Sequence, residues 1–350
     1  MSGRAIAFLI ALWLPAFAQA QGFAGMGTNA DGFALPERGT ELSFPRDHGP
    51  HPDYRIEWWY LTATLTGDDG QDYGIQWTLF RTALEPRQSD GWASPQLWMG
   101  HAGLTTPDTH YVAERLARDG IGQAGVQADP FHAFIDDWEM RGGENTGIAQ
   151  LDLRARGMDF SYNLSLQADT PLVFHGDNGF SVKSREYHAS YYYSQPSYTL
   201  SGTLNLPDGL VAVTGQGWLD REWSSQPLSE NQTGWDWFSL SFESGDKMMA
   251  FRLRDEGGAF PSGTWIGADG VVETIPDGQL DVEPLEKTEV AGRVVPVNWR
   301  VVLPERDVDV TVRALNPQSW MQTSFPYWEG PVYIEGSHQG RGYLEMTGYE

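Results

Sequence analysis

The chain has no cysteine in its 350 residues. That excludes a disulfide framework, a thiolate nucleophile and Cys-ligated zinc. It leaves the redox compartment open, because a chain this long buries a core without covalent staples. Basic residues are scarce, 23 Lys and Arg against 47 Asp and Glu, for a formal charge of -24. So acidic a surface repels nucleic acid and anionic lipid, and no nucleic-acid partner is expected. There is no Gly-x-Ser-x-Gly elbow, no P-loop and no Gly-x-Gly-x-x-Gly between strand and helix. The serine-hydrolase, nucleotide-triphosphatase and dinucleotide signatures are therefore all missing. The eight His (His48, His51, His101, His110, His132, His175, His188 and His338) show neither His-x-His nor His-Glu-x-x-His spacing. Neither a metal site nor a cofactor is expected from them. Windows of helical period long enough for a bundle do not occur either.

What the sequence has instead is 40 Gly, 21 Pro and 15 Trp, with aromatics at 13%. Short aromatic strands joined by Gly-rich turns fit that mixture, so the fold class reads as all-β. Residues 1–20 carry Arg4, an apolar run over 5–17 and the small-x-small site Ala18-Gln19-Ala20. They read as a secretory signal cleaved near Ala20, which makes the mature protein periplasmic or secreted. Residues 21–56 read as an extended lead-in, ordered where it packs on something. From Glu57 the pattern alternates, with Glu57, Trp59, Leu61, Ala63 and Leu65 on one face and Trp58, Tyr60, Thr62 and Thr64 on the other. A turn at 67–70 leads into a hairpin partner over 73–84. Further strands are expected at 97–104, 131–140, 149–153, 159–166, 190–193, 198–206 and 211–218, while 111–119 and 120–127 read as short helix or loop. The N-terminal unit thus spans 57–223, a polar, breaker-rich linker spans 224–234, and a second meander spans 235–350. About eight strands is the size of a barrel that holds one ligand.

One stretch concentrates the chemistry: Gly215-Gln-Gly-Trp-Leu-Asp-Arg-Glu-Trp223, followed by Gly234-Trp-Asp-Trp-Phe238. It also repeats. Gly215-Gln-Gly-Trp-Leu-Asp220 reads like Gly340-Arg-Gly-Tyr-Leu-Glu345, and Glu57-Trp-Trp-Tyr-Leu-Thr62 echoes Trp235-Asp-Trp-Phe-Ser-Leu240, so two copies of one β-unit are expected. In a strand Asp220 and Glu222 point to one side with Trp218, while Leu219, Arg221 and Trp223 take the other. Two carboxyls beside Trp in an apolar cavity have raised pKa values, and one can stay protonated as a general acid. Adding water to an alkene needs such a donor and a base, and aromatic faces stabilise the intermediate cation. Asp220 and Glu222 are the acid/base candidates, with Arg221 orienting them and Glu57 as a further acid at the barrel mouth. The competing reading of the same residues is an Arg221-centred ion-pair network that fixes the barrel end. Trp58, Trp59, Trp77, His101, Trp218, Trp223, Trp235 and Trp237 are the candidate ligand-binding side chains, or else the filling of the barrels and of the seam between them.

Four segments carry a family resemblance: His51-Pro-Asp-Tyr-Arg-Ile-Glu-Trp-Trp-Tyr60, Gly217-Trp-Leu-Asp-Arg-Glu-Trp223, Gly234-Trp-Asp-Trp-Phe238 and Gly342-Tyr-Leu-Glu-Met-Thr-Gly-Tyr349. Together they resemble the AttH-like lipocalin family, related to carotenoid 1,2-hydratase (hydroxyneurosporene synthase), over roughly 40–349. The resemblance implies two tandem lipocalin-like antiparallel β-barrels. It further implies a hydratase (lyase) or hydrolase type of activity on a hydrophobic isoprenoid or lipid. The hydratases continue with His-Asn where this chain has Arg221-Glu222, which separates it from carotenoid hydration itself. A second implied role is that of a non-catalytic periplasmic carrier, receiving apolar cargo from the membrane components of an ABC-type exporter.

Overall fold

Alternating apolar positions, β-branched residues and Gly-rich turns dictate strands, and strands make up nearly all the regular structure. The computed structural model describes residues 30–87, 89, 91–226, 228–229, 232–255 and 258–349. The expected secretory signal lies outside them. In chain order the first sheet contains β1 (Ile56–Gly67), β2 (Asp72–Ala83), β3 (Gln96–Thr105), β4 (His110–Arg118), β5 (Ala124–Ala128), β6 (Phe131–Ile135), β7 (Trp138–Gly142), β8 (Gln150–Arg156), β9 (Ser161–Ala168), β10 (Val173–Phe174), β11 (Phe180–Val182), β12 (Ala189–Leu206) and β13 (Gly209–Ser224). The second contains β14 (Gln232–Phe242), β15 (Lys247–Asp255), β16 (Gly258–Ile266), β17 (Val272–Ile275), β18 (Asp281–Val290), β19 (Arg293–Leu303), β20 (Val308–Ala314), β21 (Trp320–Met321), β22 (Tyr327–Gly336) and β23 (Gly340–Met346).

The first sheet runs β4-β3-β2-β1-β13-β12-β9-β8-β7-β6-β5, with β10 and β11 added on β12. It curls into a nearly closed barrel. Arg115 of β4 reaches across the gap, its guanidinium 4.8 Å from the Trp138 ring and 3.7 Å from Asp136. The second sheet runs β17-β16-β15-β14-β23-β22-β20-β19-β18, with β21 on β22, and forms a half-barrel. The expected all-β architecture of two antiparallel units is thus present, the second unit more open than the first.

Three expectations differ. Residues 110–118 and 124–128 are the strands β4 and β5, not helix or loop. Both end strands are partly exposed on each face, so neither shows the clean alternation that reveals a half-buried strand. The single strand expected over 131–140 is a hairpin, β6 and β7, turned by Asp136 at φ 52°. The echo between the two aromatic strands is offset by one residue. Ala63 pairs with Gly217 and Leu240 pairs with Gly342, so Trp58 corresponds to Trp235, Trp59 to Asp236 and Tyr60 to Trp237.

Strand β1 and the second half of β13, residues 217–224, are buried on both faces. Inward lie the pairs Glu57–Trp223, Trp59–Arg221 and Leu61–Leu219, within the first barrel's core. Outward lie Trp58–Glu222, Tyr60–Asp220 and Thr62–Trp218, facing the second sheet. The sheets approach closely beside this seam: a Cβ on Gly74 of β2 would sit 2.5 Å from Pro331 Cγ of β22. The lead-in closes one end of the first barrel, and its carbonyls are capped from inside. Trp59 Nε1 donates to His48 O at 2.9 Å, Arg221 Nη2 to Gly49 O at 2.8 Å, and Arg81 Nη2 to His51 O and Tyr54 O at 2.8 Å each. Glu57, fully buried, pairs with Arg81 and, at 3.2 Å, with Arg221, whose guanidinium stacks 3.9 Å over Trp59. Burial pushes the Glu57 carboxyl up, but Arg81, His51 and Arg221 overcome it and hold the group well below the usual carboxylate range.

Removing one partner of a buried ion cluster strands the others. Glu57→Ala is therefore expected to lower stability by about 3–5 kcal/mol in urea unfolding. Asp309→Ala, which breaks the exposed Arg300–Asp309 pair at 2.8 Å, should leave the unfolding midpoint almost unmoved.

Candidate functional site

The seam between the sheets holds a cavity of about 80 Å³. That is room for about five waters or a slim apolar group. Its walls are Trp58 and Tyr60 of β1, Phe80 of β2, Trp235 and Trp237 of β14, and Phe251 and Leu253 of β15, with Leu228 from the connection between the sheets. Alternation on β13 delivers Asp220 and Glu222 to it, alternation on β12 delivers Tyr192, and β23 delivers Glu345.

Asp220 is buried among donors. Tyr192 Oη donates to Oδ2 at 2.6 Å, and Trp218 Nε1 donates to Oδ1 at 2.6 Å, as does Ser194 Oγ. Tyr192 Oη in turn accepts from Trp237 Nε1 at 3.1 Å. Loss of water pushes the Asp220 carboxyl up to about 7; the three donors restrain the rise and the Glu222 charge adds to it. Glu345, which accepts from Trp235 Nε1 at 2.6 Å, is likewise raised to about 7 by burial, with Asp220 and Glu222 adding charge repulsion. Glu222 accepts from Ser190 Oγ and pairs with Lys183 Nζ at 2.9 Å. The Lys183 ammonium lies 4.5 Å from the ring centres of both Tyr192 and Phe251. Glu329 of β22 lies opposite Glu345 in the ladder and accepts from Tyr60 Oη at 2.5 Å. Burial first, then the Glu345 charge, raises it well above its ordinary value.

The sequence-derived candidates divide between the two faces of β1 and β13. Asp220, Glu222, Trp58, Trp235 and Trp237 line the cavity, and Trp218 is buried beside Asp220. Glu57, Arg221, Trp59, Trp77 and Trp223 lie inside the first barrel, on the opposite face. Arg221 therefore does not orient Asp220 and Glu222, because adjacent residues of a strand point to opposite sides. Tyr192, Ser194, Trp218, Ser190 and Lys183 do that instead. His101 sits behind the wall, its ring 5.3 Å from Phe80 and its Nδ1 3.0 Å from Tyr327 Oη. Glu345 carried a signal in the sequence, as the counterpart of Asp220 in the repeated Gly-x-Gly-aromatic-Leu-acid segment. Lys183, Tyr192 and Glu329 carried none. Among the described residues no three His, Asp or Glu side chains converge as metal ligands do.

Comparison with known proteins bears on the whole chain. The AttH-like family model matches residues 35–349. The crystal structure of an AttH-type protein from Nitrosomonas europaea superposes with a TM-score of 0.82 at 33% identity, covering 91% of this chain and 99% of that one. Kievitone hydratase from Nectria haematococca superposes with a TM-score of 0.66 at 15% identity, covering 89% of this chain and 97% of its own, a likeness of fold. No curated protein matches. A family match over nearly the whole described chain, and a third of positions shared with a solved AttH-type structure, make the chain a member of the AttH-like family.

Proposed function

We propose that this is an exported protein that takes a hydrophobic, unsaturated small molecule into the seam between its sheets and adds water to it by acid catalysis. The observation that carries the reading is the pair of buried carboxyls, Asp220 and Glu345, both raised to about 7 and facing an aromatic-walled cavity. Repelling charges in a dry site do not both ionise readily, so near neutral pH the pair supplies one acid and one base. The Asp220 proton passes to one alkene carbon as the π electrons form the new C–H bond. The cation left on the neighbouring carbon is stabilised by the faces of Trp58, Trp235, Trp237 and Phe251. Water attacks it, and the proton that water loses goes to the Glu345 carboxylate. Lys183 pairs with Glu222 and so limits the negative charge facing the reaction. Kievitone hydratase, of the same fold, supports hydration as the reaction class.

The test begins with native mass spectrometry of protein purified from its own host, to identify the bound apolar molecule. With that molecule, Asp220→Asn is expected to lower turnover by about 10²–10⁴-fold while ligand affinity stays within a few-fold. Wild-type protein that binds the molecule and never converts it would instead be a carrier, of the kind that receives cargo from an ABC-type exporter.

Stability should report the same carboxyls. The ordinary values for Asp220 and Glu345 are 3.8 and 4.5, and both rise to about 7 in the fold. Between those limits the folded chain holds more protons than the unfolded one, so their contribution is full at the acid end and is lost as pH rises through about 7. Glu57, held low, acts in the opposite sense, and only below its ordinary value of 4.5. Buried His48, His101, His110 and His175, held below their ordinary value of 6.5, raise stability as pH climbs toward that value, so the carboxyl is read by difference: in chemical denaturation from pH 4.5 to 8, wild type should lose stability relative to Asp220→Asn, most of it by about pH 7.

A further inference from the structure

After the turnover described above, Asp220 is ionised and Glu345 protonated, so Asp220 must regain a proton before the next cycle. One of its hydrogen bonds, that from Ser194, leads away from the aromatic cavity. Ser194 Oγ, which donates to Asp220 Oδ1, also lies 2.6 Å from Nε2 of His175. Nδ1 of the same ring lies 2.8 Å from Thr264 Oγ1 of β16. His175 and Thr264 form part of the floor of a second cleft, of about 430 Å³, between the β10–β11 segment and the strands β15 to β17. Phe251 is a wall common to both spaces.

Donor and acceptor chemistry fixes the direction of this chain. An ionised Asp220 only accepts, so Ser194 donates to it. The Ser194 oxygen then accepts from Nε2–H of His175, which leaves Nδ1 to accept from the Thr264 hydroxyl. Every hydrogen in the row points toward Asp220. Burial first, then the charge of Lys183, keeps the imidazole neutral, and the Tyr192 ring packs against it with centroids 4.1 Å apart. Lys183 acts on the ring by its charge, Tyr192 packs against it, Thr264 and Ser194 hydrogen-bond it, and Asp220 lies beyond Ser194.

We propose that Thr264, His175 and Ser194 form a proton relay that reloads Asp220 from the second cleft, independently of the cavity that holds the substrate. The inference rests on the acid role assigned to Asp220 above. A proton from cleft water passes to Thr264 Oγ1 as Thr264 releases its own to His175 Nδ1. His175 gives its Nε2 proton to Ser194, and Ser194 gives its hydroxyl proton to Asp220 Oδ1. One proton enters and one arrives; the imidazole changes tautomer without holding a charge, and no electrons move. Ser194, His175 and Thr264 are positioning residues that act through Asp220 and touch no substrate. An unsaturated ligand can then fill the aromatic cavity and exclude bulk water from it while the acid is still replenished from behind.

The test needs no substrate. At pH 5 the protonated Asp220 carboxyl is assigned in the infrared spectrum as the carbonyl band lost in Asp220→Asn, and that of Glu345 as the band lost in Glu345→Gln. On rapid mixing into D2O, the deuterium shift of the Asp220 band is expected to slow at least tenfold in Ser194→Ala, His175→Phe and Thr264→Val, while the Glu345 band keeps its wild-type rate. Thr264→Val is nearly isosteric and leaves Ser194 and Asp220 untouched, so it serves if the other two fold poorly; near-UV circular dichroism checks each variant. Unchanged exchange at Asp220 in a natively folded variant overturns the relay and leaves the acid role standing. Equal slowing of both bands also overturns it, since that reports a closed protein instead of a path. No protonated Asp220 band in the wild type at pH 5 overturns the acid role and the relay together.

Discussion

Four carboxyls, Asp220, Glu222, Glu329 and Glu345, share the seam between the sheets, and Lys183 pairs with one of them, Glu222. Away from water an uncompensated carboxylate is costly, so a group that lacks a cation takes up a proton or gathers donors. That constraint explains the make-up of the seam. Trp and Tyr supply an apolar body and one polar tip, which suits a space whose walls must be greasy while its acids stay hydrogen-bonded. Trp218, Tyr192, Trp235 and Tyr60 each end on a carboxyl oxygen. The same side chains that form the cavity thus set the proton affinity of the groups facing it.

Inside the two units the opposite solution prevails. Glu57 is matched by Arg81 and Arg221 in the first, and Asp236 by Arg252 at 3.0 Å and by Arg254 in the second, with Tyr349 donating at 2.8 Å. There the acids are matched by guanidinium groups and hold chain ends in place. Arg81 and Arg221 cap the carbonyls of the lead-in, and Arg254 binds the Thr347 carbonyl beyond β23. A buried acid of this protein is thus matched by a guanidinium inside the units, and in the seam is held by Trp, Tyr and Ser donors or by Lys183.

Much of this was legible from residue spacing. Alternation alone separated Asp220 and Glu222 from Arg221, and it placed Glu57 and Trp59 on the face away from Trp58 and Tyr60. Alternation does not say which face meets the barrel core and which the neighbouring sheet, so Trp59, Trp77 and Trp223 were grouped with Trp58 and Trp235. The repeat points at Glu345, yet the letters of the two aromatic strands agree best one residue out of step with their pairing, which hides the match of Tyr60 with Trp237. Lys183, on the β11–β12 connection, and Tyr192, on β12 opposite Glu222, are unreadable because tertiary folding and strand pairing bring them to the seam, and no local pattern records that. The end strands β4 and β5 were missed for a related reason: partial exposure on both sides erases the period that identifies a strand.

Burial of residues 217–224 of β13 on both faces has a consequence for how this chain can change over time. Odd and even positions of the strand belong to separate environments, so substitutions at 218, 220 and 222 are free to retune the seam without disturbing the barrel packing at 219, 221 and 223. Insertion or loss of one residue here is another matter, since it rotates every later side chain to the other face. Arginine would be driven into the aromatic space and the acids into the barrel. Relatives with divergent chemistry should therefore keep this segment at constant length while its alternate letters drift at different rates.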